Sequence, residues 1–356
     1  MFRGPYRSLG IAAVATLAAA FPSLAVASGS ASSTAPVTTP TVPAAPTIPA
    51  PASAATPAPP KPKLARGSIT IYLPDAFFVH RAPVSVPRRL LHVVGIVRPY
   101  VADQRVTVRA FLGRRLIKSE RVRLIPSRNQ SYGHFRLGLS SPGVGNVVVS
   151  VAHAATAEQA GFRGRRGFAV LDERAGFGST GRFVQLIQQR LAALHLYIPQ
   201  TGVYDQGTGL ALDAYHRLLH WGTYQTLDGR TISFLLDGFG EFKVRYRSHG
   251  RHAEGNLSLQ LVALSDGSRV NAIYPISSGK PSTPTIIGDF HVYSKVPGTL
   301  PDGMYDSNFF FRGYAIHGYN PAPDYPASHG CMRLPIVDAP SVFGWLAVGD
   351  WVDVYY

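Results

Sequence analysis

The one cysteine of this 356-residue chain, Cys331, lies in Ser328-His329-Gly330-Cys331-Met332-Arg333, and a second histidine, His317, lies just upstream in Ala315-Ile316-His317-Gly318. A lone thiol makes no internal disulfide, and in an exported protein it is an oxidation liability unless it has a task. Acyl transfer through sulfur needs a thiol that can be deprotonated, a base within hydrogen-bond reach, and donors for the oxyanion that develops on the attacked carbonyl. Cys331 is the candidate nucleophile, and a neighbouring imidazole or cation favours its thiolate. His317 or His329 is the candidate base, since imidazole titrates near neutral pH. Gly330 lets the backbone come close to a substrate and present N–H groups. Arg333 is placed to bind a substrate carboxylate or to organise the loop. The competing chemistry is zinc held by His317, His329 and Cys331, but structural zinc usually uses paired cysteines and no fourth ligand is evident.

The elements that must position these residues begin with an export signal. Arg3 and Arg7 precede an apolar run from Leu9 to Ala20, and Ala25-Val26-Ala27 is a small-x-small cleavage site. Residues 1–27 are therefore expected to be a signal peptide; an uncleaved membrane anchor is the alternative. Ser28, not a cysteine, directly follows the cleavage site, so a lipid anchor has no support. Residues 28–65 are almost wholly Ala, Pro, Thr and Ser, which cannot build a core and predict an extended, disordered linker. The protein is expected outside the cytoplasm, secreted or associated with the cell wall or periplasm.

Three folded regions are expected beyond the linker, in a mainly-β, multidomain chain. In residues 66–172, Ile69, Ile71 and Leu73 alternate, as do Val106, Val108 and Ala110, and Val147, Val149 and Val151. Turns at Gly113-Arg114, Ser131-Tyr132-Gly133 and Ser141-Pro142-Gly143 separate them, which predicts a β-sandwich, immunoglobulin-like in size. This region is basic: Arg66 to Arg174 holds eighteen Lys and Arg against six Asp and Glu, most of the net +15 of the whole chain. That charge implies an anionic partner, and outside the cell anionic wall polymers fit better than nucleic acid. In residues 177–238 the period becomes helical, with Phe183, Ile187, Leu191 and Leu194, then Ala211, Ala214, Tyr215 and Leu218. Thr231 is the candidate cap of a third helix carrying Ile232, Leu235 and Leu236. Residues 239–356 return to β patterning. Leu257, Leu259 and Leu261 alternate ahead of an Asp266-Gly267 turn, and Ile273, Phe290, Val292 and Val352 to Tyr355 mark further strands.

Two of these regions resemble known families. Ser328-His329-Gly330-Cys331-Met332-Arg333-Leu334, preceded by Ile316-His317-Gly318, closely resembles the active-site signature of L,D-transpeptidases, with their YkuD-type catalytic domain. Ser277-Ser278-Gly279-Lys280, Thr283-Pro284 and Gly349-Asp350-Trp351-Val352 resemble further segments of that family. Two departures are visible: Thr283 to Gly288 is two residues longer than the usual pattern, and the step from His317 to Ser328 is short. In residues 177–238, Gly178-Ser179-Thr180-Gly181, Gln189-Arg190-Leu191 and Gly202-Val203-Tyr204 resemble the three-helix peptidoglycan-binding domain. A papain-like peptidase is disfavoured because its cysteine precedes its histidine in sequence.

The resemblance implies peptidoglycan as substrate, with Cys331 as acylated nucleophile and His317 as general base. His329, Gly330 and Cys331 would shape the oxyanion site, with Ser328 and Arg333 supporting the loop. It implies a thioester with a tetrapeptide donor stem, release of D-alanine, and 3→3 cross-linking to the side-chain amine of a neighbouring stem. Water as acceptor would make the protein an L,D-carboxypeptidase, and a dead site would leave a wall-binding protein. Carbapenems are expected to acylate Cys331, and no cofactor or metal is required.

Overall fold

The structure, a computed structural model, describes residues 64–356; the expected signal peptide and nearly all of the linker lie outside the described residues. The first ten strands are β1 (Ser68–Tyr72), β2 (Phe77–Val79), β3 (Ala82–Ser85), β4 (Leu91–Arg98), β5 (Arg105–Leu112), β6 (Arg115–Arg123), β7 (Ile125–Pro126), β8 (Gly133–Leu139), β9 (Gly145–His153) and β10 (Phe162–Val170). They form a four-stranded sheet in the order β1-β4-β8-β7 and a six-stranded sheet in the order β2-β3-β10-β9-β5-β6. Burial alternates along β4, β8 and β9, as a strand with one face on a core requires. The inward residues, among them Val93, Val97, Val108, Phe135, Val149 and Val151, make one core shared by both sheets.

Three helices follow: α1 (Arg182–Ala193), α2 (Gln206–Leu218) and α3 (Gly229–Asp237). Their apolar stripes bury Ile187, Leu191, Leu212, Tyr215 and Leu235. The helix core is continuous with Val84 and Leu171 on one side and with Leu261, Ala263 and Ile273 on the other. The cap of α3 is Asp228, whose carboxylate accepts the Thr231 N–H at 2.6 Å, rather than Thr231. Thr231 is buried inside the first turn instead, where its hydroxyl meets His216 Nε2 at 2.9 Å.

The last region contains β11 (Arg251–Asn256), β12 (Leu261–Asp266), β13 (Arg269–Pro275), β14 (Gly288–His291), β15 (Ser294–Thr299), β16 (Tyr305–Phe311), β17 (Tyr314–Gly318), β18 (Met332–Leu334), helix α4 (Ala339–Trp345) and β19 (Trp351–Tyr355). One sheet runs β13-β12-β11-β19-β14 and a second runs β15-β16-β17-β18. Their shared core includes Val262, Val292, Phe310, Ile316, Met332, Val342 and Val352. Leu257 and Leu259 do not lie on a strand: residues 257–260 are the turn between β11 and β12, with Gln260 at φ 53°. The chain is mainly β, with four helices among the described residues. None of these helices is long and apolar enough to cross a membrane.

Candidate active site

His317 and Cys331 are brought to neighbouring positions because β17 and β18 run side by side and parallel. Their register pairs Ile316 with Met332, His317 with Arg333 and Gly318 with Leu334. Cys331 immediately precedes β18, two residues from Arg333, so it occupies the position diagonal to His317. That corresponds to about 8 Å between α-carbons from strand spacing and rise. The Cys331 thiol is half-buried and donates to the Gly313 carbonyl at 3.5 Å, beside the start of β17. His317 is buried, and its Nδ1–H donates to the Gly318 carbonyl at 2.9 Å. That bond fixes the tautomer and leaves Nε2 as the ring's acceptor.

Electrostatics keep both groups neutral at rest. Burial pushes the Cys331 thiol above the ordinary thiol value, against the opposing pull of the Ala315 N–H and the Arg333 guanidinium. Burial pulls the His317 imidazole below its ordinary value, and Arg333 adds to that while the Gly318 carbonyl opposes it. The expectation that a neighbouring imidazole favours the thiolate is therefore outweighed by desolvation of the charged form. A neutral thiol beside a neutral imidazole acceptor suits proton transfer during attack, rather than a standing ion pair.

The loop carrying the thiol is closed by Ser328. Its hydroxyl donates to the Cys331 carbonyl at 2.6 Å and accepts the Gly330 N–H at 3.0 Å. Gly330 has φ 123°, and a β-carbon there would lie 2.4 Å from the Tyr314 ring, so only glycine fits. Because the Gly330 N–H is committed to Ser328, it does not point at a substrate as the sequence suggested. The Ser328 carbonyl accepts from the Lys280 N–H and from the Thr283 hydroxyl, each at 3.0 Å. This places the Ser277-to-Lys280 and Thr283 segments directly against the thiol loop.

His329 stands apart from the pair: it is exposed, and its Nε2 meets Lys280 Nζ at 3.3 Å. The Arg333 guanidinium lies 4.0 Å from the centre of the Tyr319 ring, and Tyr319 stands edge-on to His317 at 5.8 Å. No group of three His, Cys, Asp or Glu side chains among the described residues is arranged to hold a metal ion.

A second layer fixes the loop from behind, through residues the sequence did not single out. The Ala327 and Ser328 N–H groups donate to the Ser278 carbonyl at 2.9 and 3.0 Å. Ser278 is gripped by Gln260, whose Nε2 donates to Ser278 Oγ at 2.7 Å while its Oε1 accepts the Ser278 N–H at 2.9 Å. Gln260 is held in turn by Arg217 of α2, whose Nη1 donates to the carbonyls of Gln260 and Ile276 at 2.8 and 2.9 Å. Arg217 is buried and pairs with the equally buried Asp213 at 2.6 Å. No spacing signal marks Gln260, Arg217, Tyr314 or Tyr319, because each acts through a contact distant in sequence.

Comparison with known proteins bears on this geometry. Residues 250–354 match the family model of the L,D-transpeptidase catalytic domain, YkuD. No curated protein matches the chain. Among solved structures, the chain is similar to an L,D-transpeptidase from Xylanimonas cellulosilytica at 29% identity, over 51% of this chain and 97% of that one, with a TM-score of 0.48. It is also similar to an L,D-transpeptidase from Stackebrandtia nassauensis at 20% identity, over 53% of this chain and 98% of that one, with a TM-score of 0.35. A third similar structure is L,D-transpeptidase 3 from Mycobacterium tuberculosis with a faropenem-derived adduct, at 20% identity, over 30% of this chain and 60% of that one, with a TM-score of 0.28. The Cys331 loop and His317 both fall inside residues 250–354, the segment that matches the family model of the YkuD L,D-transpeptidase catalytic domain.

Proposed function

We propose that this chain is an exported cysteine L,D-transpeptidase acting on peptidoglycan. The observation that carries the reading is the half-buried thiol of Cys331 at the start of β18, the strand paired with the one that carries an imidazole whose Nε2 is left free by the Nδ1–Gly318 bond. In the acylation step the Cys331 sulfur attacks the carbonyl carbon of the third residue of a tetrapeptide stem as His317 Nε2 takes the thiol proton. The tetrahedral oxyanion is held by backbone donors of the loop; with the Gly330 N–H engaged by Ser328, the donors left for it are the His329 and Cys331 N–H groups. Collapse breaks the bond to the terminal D-alanine, whose amine leaves with the proton from His317. The thioester is then attacked by the side-chain amine of a diamino acid on a neighbouring stem. The amine loses a proton to His317, the C–S bond breaks, the thiol is regenerated and a 3→3 cross-link forms.

The rest of the chain serves delivery. Residues 1–27 export the protein, residues 28–65 give it reach, and residues 66–172 form an immunoglobulin-like sandwich with a basic surface for anionic wall polymers. Residues 177–238 are a peptidoglycan-binding module and residues 239–356 the catalytic part. The same thiol is the expected target of carbapenems, whose strained ring it would open to leave a thioester.

Incubation of the purified protein with defined tetrapeptide-stem muropeptides tests the reading. The expected products are free D-alanine and a 3→3 dimer, both lost in Cys331→Ala. Tripeptide without dimer would assign carboxypeptidase activity instead, and turnover by Cys331→Ala would overturn the thiol mechanism.

A further inference from the structure

A groove of about 620 Å³ runs between helix α2 and the catalytic strands, within the range of about 300–1,000 Å³ usual for ligand sites. One wall comes from the helical segment: Gln206 opens α2, Leu210 lies one turn on along the same face, and Gln225 follows in the α2–α3 connection. The other wall leaves the ends of the two parallel strands. Tyr319 and Asn320 come directly after β17, and Pro335 to Val337 come directly after β18. The groove therefore starts two residues from His317.

Its chemistry differs from the rest of the molecule. The chain carries a net charge of +15, yet no residue lining this groove is charged. The side-chain amides of Gln206, Gln225 and Asn320 have no hydrogen-bond partner among the described residues, and Ile336 and Val337 are exposed beside them. An amide offers both donors and an acceptor, which is what a hydroxyl-rich ligand asks for. The flat faces of Tyr319 and the prolines suit the C–H faces of a sugar ring. A stem peptide is the poorer fit, because its carboxylates and amine would be desolvated here without a counter-charge. Toward the thiol, the Arg333 guanidinium lies on the Tyr319 ring, at the catalytic end of the groove.

We propose that the groove between α2 and the Tyr319 and Pro335 segments binds the uncharged saccharide backbone of the substrate, so that glycan is held here while its charged stem passes Tyr319 toward Cys331. This rests on the transpeptidase reading for the identity of the substrate, and it assigns to the helical segment a wall of the active-site cleft.

The test is binding of glycan strands stripped of their stems together with the lactyl groups that bear them, so that no free carboxylate is left on the sugars, measured by calorimetry on the full chain, with free tetrapeptide stem as the parallel probe. The wild-type protein should bind stripped strands. Gln206→Ala/Asn320→Ala, at two exposed positions, should weaken that binding about tenfold, the loss expected for two hydrogen bonds. Val337→Glu should weaken it similarly by placing a charge in the groove. Equal binding of stripped strands by wild type and all variants, or none by wild type, overturns the proposal. So does loss of free-stem binding in Gln206→Ala/Asn320→Ala with glycan binding intact, which would make the groove a peptide site. Because stripped strands carry no scissile bond, a failure of the transpeptidase reading shows separately, as absence of a thioester with stem-bearing donors.

Discussion

Replacing Arg217 by methionine should destabilise the protein far more than its distance from the thiol suggests. Arg217 is buried, pairs with buried Asp213 at 2.6 Å, and donates to the Gln260 and Ile276 carbonyls. Burial raises the Asp213 carboxyl above the ordinary carboxylate range and Arg217 pulls it back, so the variant strands an acid that already resists ionisation. Removing one partner of a buried pair costs about 3–5 kcal/mol. Each carbonyl that loses its donor adds about 1 kcal/mol. Protonation of Asp213 limits the total, which we place at about 4–6 kcal/mol, a large share of the roughly 5–15 kcal/mol that holds a domain folded. Urea unfolding of the wild type, Arg217→Met and Asp213→Leu/Arg217→Met measures this directly. The double variant leaves no stranded charge and should recover about 3 kcal/mol. A loss below about 1 kcal/mol in the single variant, or no recovery in the double, would refute the claim that this pair anchors the loop through Gln260.

Three further outcomes follow from the site and its surroundings. Gly330→Ala should lower the rate of Cys331 acylation by about 100-fold, since a β-carbon there meets the Tyr314 ring at 2.4 Å and a misplacement of about 1 Å can cost that much; an unchanged acylation rate would contradict the loop geometry. Alkylation of Cys331 by iodoacetamide should be slow at pH 7 and rise only above the ordinary thiol range, because burial holds the thiol protonated; a rate already maximal near pH 6 would show a standing thiolate instead. Asp338 is buried with its carboxyl raised to about 7, so stability is greatest where it is protonated in both states and falls as pH climbs from the ordinary carboxylate value through about 7. Asp338→Asn should therefore be more stable than wild type at pH 8, by about 4 kcal/mol at most from the linkage relation, with little gain at pH 4; thermal melts at the two pH values check it.

What the sequence disclosed, and what it hid, follows from the reach of each interaction. Strands β5 and β9 were legible because Val106, Val108, Val149 and Val151 alternate against one core. Helices α1 and α2 were legible from their stripes. Strand β11 was hidden because it is central yet polar. His252 and Glu254 are buried on it, and Glu254 is satisfied by the N–H groups of Arg245 and Tyr246 and the Tyr355 hydroxyl, all from other elements. The apolar alternation beside it, Leu257 to Leu261, mimicked a strand where the chain turns at Gln260. At the site, His317, Ser328 and Cys331 could be read because their residue types and spacing carry chemistry. Gln260 and Arg217 could not, because a glutamine between leucines or an arginine at the end of a helix gains meaning only when β12, α2 and the thiol loop are brought together.

The most direct measurement is the mass of the intact protein moments after mixing with a tetrapeptide-stem donor. Capture by the sulfur predicts a mass gain equal to the donor less D-alanine, mapped by proteolysis to Cys331 and discharged on adding an acceptor amine. Turnover of the donor with the protein mass unchanged, or an adduct on any other residue, would contradict it.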